Sequence, residues 1–88
     1  MADSIVRSAH DIDSLALLQK RMESEGDRLG SIIALREWGK ALRNESRFEE
    51  ALSVHSKGQQ QAEAVGDTLE WVQALNNIGT DYRRMGVL

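Results

Sequence analysis

The sequence predicts an all-α chain made of antiparallel helix-turn-helix repeats stacked as a short right-handed α-solenoid. Three observations lead there. Proline is absent, β-branched residues never fall into alternation, and Ala, Leu, Glu, Gln and Arg recur throughout, a composition that favours helices over strands. The breaks come from short polar punctuation: "EGD" at 25–27, "RNES" at 43–46, "VGD" at 65–67 and a terminal "MG". Finally, the chain repeats itself at an offset of 40 residues, and a period of that length built from two helices indicates stacked repeats.

Each element has its own signals. A short helical or frayed lead is expected from Ser4 to His10, followed by a helix from Asp11 to Ser24. Gly26 can take the left-handed conformation that closes this helix, and the Asp27 carboxylate can accept the free N–H groups that open the next. The second helix then runs from Leu29 to Asn44. Ser46 and Glu49 have capping-box spacing, which starts a third helix, Arg47 to Val65. Gly66 and Asp67 repeat the Gly-Asp device, and Asp67 with Glu70 has the same box spacing, so a fourth helix is expected from Thr68 to Met85.

Sliding the chain by 40 residues pairs Gln19 with Gln59, Glu23 with Glu63, Gly26 with Gly66, Asp27 with Asp67 and Leu29 with Leu69. It also pairs Ala34 with Ala74, Leu35 with Leu75, Gly39 with Gly79 and Arg43 with Arg83. Conservative pairs fill the apolar positions between them: Ile32 with Val72, Trp38 with Ile78, Leu42 with Tyr82. A glycine in mid-helix costs about 1 kcal/mol relative to alanine, so its recurrence at Gly39 and Gly79 calls for a packing reason. Two antiparallel helices approach closely only where a side chain is nearly absent. Gly39 is therefore expected to face Ala51, with Trp38, Leu42 and Phe48 filling the flanks. Gly79 should serve a partner helix in the same way.

"IIALREWGKALRNESRFEEALSVHSKG" and "VQALNNIGTDYRRMG" resemble the tetratricopeptide repeat. That family's first helix carries a large apolar residue, then glycine, then an aromatic or leucine three further on. Trp38, Gly39 and Leu42 match this pattern, as do Ile78, Gly79 and Tyr82. Phe48 matches the second-helix aromatic, Ala51 and Gly58 the small second-helix positions, and Gly86 the turn glycine, which Ser46 replaces in the first copy. The spacing and the "GD" junctions are similar to the longer variant seen in kinesin light chains and bacterial signalling proteins. Under this resemblance, residues 1–28 hold a lead and the second helix of a preceding or partial repeat. Residues 29–66 form one complete repeat, and 67–88 the first helix of a further, truncated one. The last helix would then present Leu75, Ile78 and Tyr82 to a following helix, and the chain reads as a fragment of a larger protein that could self-associate through this C-terminal helix.

Composition narrows the function. The 88 residues carry 11 basic and 14 acidic side chains, interspersed, for a net charge of −3, so there is no basic field to attract nucleic-acid phosphates. No apolar run approaches the roughly 20 residues that span a bilayer, and membrane contact is not expected. Cysteine is absent, which removes disulfides and thiolate metal sites and suits cytoplasm or periplasm alike. His10 and His55 stand isolated, without acidic residues at metal-ligand spacing. Glu23, Glu25, Glu49 and Glu50 read as solvated helix faces, and the glycines form no phosphate loop. Neither a catalytic centre nor a cofactor site is expected. Trp38 reads as core; Trp71 fits core or ligand platform equally.

What remains is a surface. Arg36, Lys40 and Arg43 fall at i, i+4 and i+7 on one stripe of their helix, and the matching stripe is Asn76, Thr80 and Arg83, with Asn77 and Arg84 beside it. In the tetratricopeptide family first helices line the concave face. The resemblance therefore implies a groove of cationic and amide donors suited to an extended acidic peptide or a carboxylate, with Arg36 and Asn77 matching two carboxylate-clamp positions in kind. The expected function is a protein–protein interaction module binding a peptide or partner helix in that groove. The alternative is a sensory or regulatory segment of a bacterial signalling protein with a histidine kinase or helix-turn-helix output.

Overall fold

A computed structural model describes residues 11–86; the expected lead from Ser4 to His10 lies outside them. Four helices follow one another: α1 (Asp11–Ser24), α2 (Arg28–Asn44), α3 (Phe48–Val65) and α4 (Thr68–Met85). Sequence-based boundaries agree to within one residue. Among the described residues there is no strand.

The three inter-helix turns share one hydrogen-bonding scheme. At the first, the N–H of Asp27 donates to Met22 O and that of Gly26 to Glu23 O; at the third, Asp67 donates to Ala62 O and Gly66 to Glu63 O. This pairing satisfies the carbonyls left free at a helix C-terminus and needs one left-handed residue. Gly66 supplies it with φ +75°. The aspartate that ends each turn then caps the next helix, Asp27 accepting from Gly30 N at 2.8 Å and Asp67 from Glu70 N at 3.0 Å.

The middle turn departs from expectation. Ser46 does not cap α3 but takes the left-handed place itself, with φ +62°, while its N–H donates to Arg43 O and that of Arg47 to Leu42 O. The N-cap is therefore Arg47, which has no side-chain cap bond. The turn is the same length as the others, so the residue standing where they carry glycine must adopt the glycine conformation, and Ser46 cannot also reach the α3 amides. Its box partner is lost with it, and Glu50 instead receives Arg47 through Nε at 2.9 Å and Nη2 at 2.8 Å.

Packing follows the chain order. α2 contacts α1, α3 and α4, and α3 contacts α4. The result measures 37 × 31 × 18 Å, a slab about two helix diameters thick, with α2 and α4 side by side in one layer and α1 and α3 against them. Leu35, Leu42, Ala51 and Val54 form the core, with Trp38 and Ile12 packed on it. Ile32, Ala34 and Ala62 are also buried, while Phe48 is half-buried.

Candidate functional site

Two arginines of the expected groove have their guanidinium groups turned to the neighbouring helix. Arg36 Nη1 donates to Glu70 Oε2 at 2.6 Å and to Gln73 Oε1 at 3.1 Å. One helical turn pair further along, Arg43 Nη1 donates to Asp81 Oδ1 at 3.2 Å and to Asn77 Oδ1 at 3.3 Å. All four acceptors lie on α4. The i, i+7 spacing of Arg36 and Arg43 thus fastens α2 to α4 instead of leaving two cations free in a groove. Glu70 and Asp81 are almost fully buried, and a buried carboxylate is tolerable only when paired and hydrogen-bonded.

Asp81 has a second partner. Its Oδ2 lies 2.5 Å from Nδ1 of His55, and the ring's Nε2 lies 3.3 Å from the carbonyl oxygen of Arg36. His55 and Asp81 are both buried, so α2, α3 and α4 meet on a single charged knot, Arg43–Asp81–His55. The glycine at position 39 makes it possible: a β-carbon there would fall on the His55 imidazole. Gly39 thus admits a ring from α3, and His55, not Ala51, supplies the atoms nearest that missing side chain. Ala51 lies in the core cluster nearby.

The rest of the stripe remains open to solvent. Lys40 is half-exposed, 3.5 Å from Glu37 Oε2, and Asn76 and Arg83 are exposed. Thr80 Oγ1 donates to Asn76 O, and Arg83 Nη2 donates to Thr80 Oγ1 at 3.0 Å. Exposed Leu29, Ile33 and Leu69 stand on the same helices. The surface shared by α2 and α4 therefore combines Lys40 and Arg83 with amides and apolar side chains, and carries less free positive charge than the spacing of its basic residues implies.

A second polar seam joins α1, α2 and α3. Gln19 Nε2 donates to Ser31 Oγ at 3.1 Å, Ser31 Oγ donates to Gln61 Oε1 at 2.9 Å, and Gln61 Nε2 donates to Glu23 Oε2 at 3.2 Å. Two of the repeated positions, Gln19 and Glu23, belong to it. Trp71, at the place of Ser31, is half-buried beside the turn between α3 and α4.

The Arg47–Glu50 pair shifts both of its members. The hydrogen bond and charge of Glu50 raise the Arg47 guanidinium, and the hydrogen bond from Arg47 holds the Glu50 carboxyl below the usual range. Among the described residues no three His, Asp or Glu side chains are grouped to hold a metal ion, and no helix is long and apolar enough to cross a membrane. His10 lies outside the described residues.

Sequence reasoning missed the knot because both spacings are non-local. One trace of it was present. At the forty-residue offset His55 falls on Leu15 and Asp81 on Ala41, so an apolar pair in one repeat becomes an acid–base pair in the next. No protein-family model, curated protein or solved structure matches the chain.

Proposed function

We propose that this chain is a protein-interaction module of the tetratricopeptide kind, holding an extended peptide or a partner helix along the inner surface of α2 and α4. The observation that carries this reading is the pair of interhelical ties, Arg36–Glu70 and Arg43–Asp81. They hold two repeat-related helices side by side with Lys40, Asn76, Thr80 and Arg83 facing outward between exposed leucines and an isoleucine. A rigid surface of amides, hydroxyls, two cations and apolar side chains binds main chain and side chain of an extended segment without performing chemistry on it. Because Arg36 and Arg43 are engaged internally, the preferred ligand has a few acidic residues spaced to meet Lys40 and Arg83, and is not a polyanion.

Peptide display against the purified chain tests this. Enriched sequences should carry acidic residues, and the double variant Lys40→Glu/Arg83→Glu should lose them while keeping the parent's helical circular dichroism. A selection without enrichment, or peptides bound equally by the variant, would overturn the assignment.

A further inference from the structure

The open flank of α4 has a counterpart elsewhere in the same chain. Ile32, Leu35, Gly39 and Leu42 form the stripe of α2 that α3 covers, and all four are buried, the three side chains at 2%, 0% and 1% exposure. Their matches on α4 are Val72, Leu75, Gly79 and Tyr82. Here Val72 and Leu75 are 41% exposed and Tyr82 37%, and a β-carbon on Gly79 would meet nothing within 4 Å. The stripe is the same, but no described helix lies on it.

The helix suited to cover it is also present. By the forty-residue register α1 is the equivalent of α3, sharing Gln19 with Gln59 and Glu23 with Glu63, and α1 packs on α2 as α3 packs on α4. But α3 packs on two neighbours, α2 and α4, whereas α1 packs closely on α2 alone among the described helices and meets α3 through the Gln61–Glu23 hydrogen bond. On α1, Leu17 borders the cleft shared with Trp38 and Val54, while Leu18, outside that cleft, is 41% exposed. Leu18 matches Gly58, the residue that faces the β-carbon of Leu35, so seating α1 on α4 as α3 sits on α2 brings Leu18 opposite Leu75, beside the space at Gly79.

Charge supports the same antiparallel orientation. The last turn of α4 is basic, with Arg83 and Arg84, and its first turn carries Glu70; α1 has exposed Asp13 in its first turn and basic Arg21 in its last. Antiparallel seating brings Asp13 toward Arg83 and Arg84, whereas parallel seating brings Arg21 toward them instead. Since α1 and α4 of one chain do not touch, the pairing runs between molecules.

We propose that α1 of a second copy of this chain covers the Val72–Leu75–Gly79–Tyr82 face of α4, so that copies associate head to tail. The two surfaces differ, making the contact heterologous: it leaves a free α4 at one end and a free α1 at the other, and extends until it closes on itself or exhausts the supply of chains.

Variants of the two faces test this by sedimentation velocity. The parent should show concentration-dependent species above the monomer. Leu18→Glu, on the α1 face, and Tyr82→Lys, on the α4 face, each place a charge in the apolar contact and should each be monomeric with unchanged circular dichroism. Mixed, they retain one intact face apiece, and should form a complex of one Leu18→Glu chain with one Tyr82→Lys chain and nothing larger. A monomeric parent, or continued association of the Leu18→Glu chain alone, would overturn the proposal. As a second readout, the native absence of cysteine allows Leu18→Cys and Leu75→Cys chains to be mixed under oxidation. The 18–75 heterodimer should dominate, and a predominance of 75–75 homodimer would show that α4 pairs with itself.

Discussion

The same substitution at two equivalent glycines should change stability in opposite directions. Replacing a mid-helix glycine by alanine ordinarily stabilises by about 1 kcal/mol, through backbone entropy and buried backbone. At Gly79 nothing lies within 4 Å of the new methyl, so Gly79→Ala should realise that gain, worth about 4–8 °C in Tm for a domain of this size. At Gly39 the methyl falls on the His55 ring. The ring is not free to move, since Nδ1 is held 2.5 Å from Asp81. Overpacking a filled core costs about 1–3 kcal/mol, and expelling the ring would leave the buried Asp81 carboxylate short of a hydrogen-bond partner, also at about 1–3 kcal/mol. Subtracting the helix gain of about 1 kcal/mol leaves Gly39→Ala less stable than the parent by up to about 2 kcal/mol. Urea unfolding followed by circular dichroism and tryptophan fluorescence, at a concentration low enough to suppress association, measures both. A Gly39→Ala chain that is stabilised as Gly79→Ala is, by about 1 kcal/mol, would refute the seating of His55 beneath α2.

Asp81→Ala should lower stability by about 3–5 kcal/mol, because it leaves His55 and Arg43 without their carboxylate. The double change His55→Leu/Asp81→Ala installs the Leu15–Ala41 pairing of the other repeat, and should recover most of that loss in the same urea assay. Ser46→Gly removes a left-handed penalty of about 1–2 kcal/mol and should raise Tm; an unchanged Tm would show that the turn relaxes without glycine. The lowered Glu50 carboxyl contributes stability that is present above the ordinary carboxylate range and lost as pH falls through its depressed folded value. Parent and Glu50→Gln should therefore differ slightly at neutral pH and converge in acid, with a small gap because the pair is exposed.

Helices, turns and repeat register were legible because their causes are local. Gly-Asp marks a turn through two residues that act within one helical turn of themselves, and the apolar stripes follow a fixed period. The middle turn misled for an equally local reason: Ser46 suits an N-cap and also tolerates a cap site vacated by glycine, and loop length decided between the two. The groove was half legible. Spacing placed Arg36, Lys40 and Arg43 on one face, but whether a guanidinium meets solvent or a carboxylate depends on where Glu70 and Asp81 arrive, 34 and 38 residues away. His55 could not be read from its neighbours at all. Its surroundings, Ala51, Val54, Gly58 and Ala62, marked a buried helix face, which argues against a polar ring until the partner on α4 is known.

The knot also answers a problem that repetition creates. α1 and α3 are equivalent helices, so nothing in their apolar patterns prevents α1 of one copy from displacing α3 of another between α2 and α4. The charged residues do. In that exchange Leu15 would stand where His55 belongs, and Asp81, fully buried, would keep Arg43 but lose the imidazole at 2.5 Å. A buried carboxylate short of one partner costs more than an apolar mismatch, and Gly39 would be left beside an unfilled space. Seating α1 on the outer stripe of α4 carries no such penalty, since Asp81 points the other way, into its own knot. A buried polar group can thus fix which of two similar helices belongs at which place, as a single buried asparagine does in coiled coils. The acid–base pair at one junction and the apolar pair at the other are what permit copies to meet end to end without exchanging their interiors.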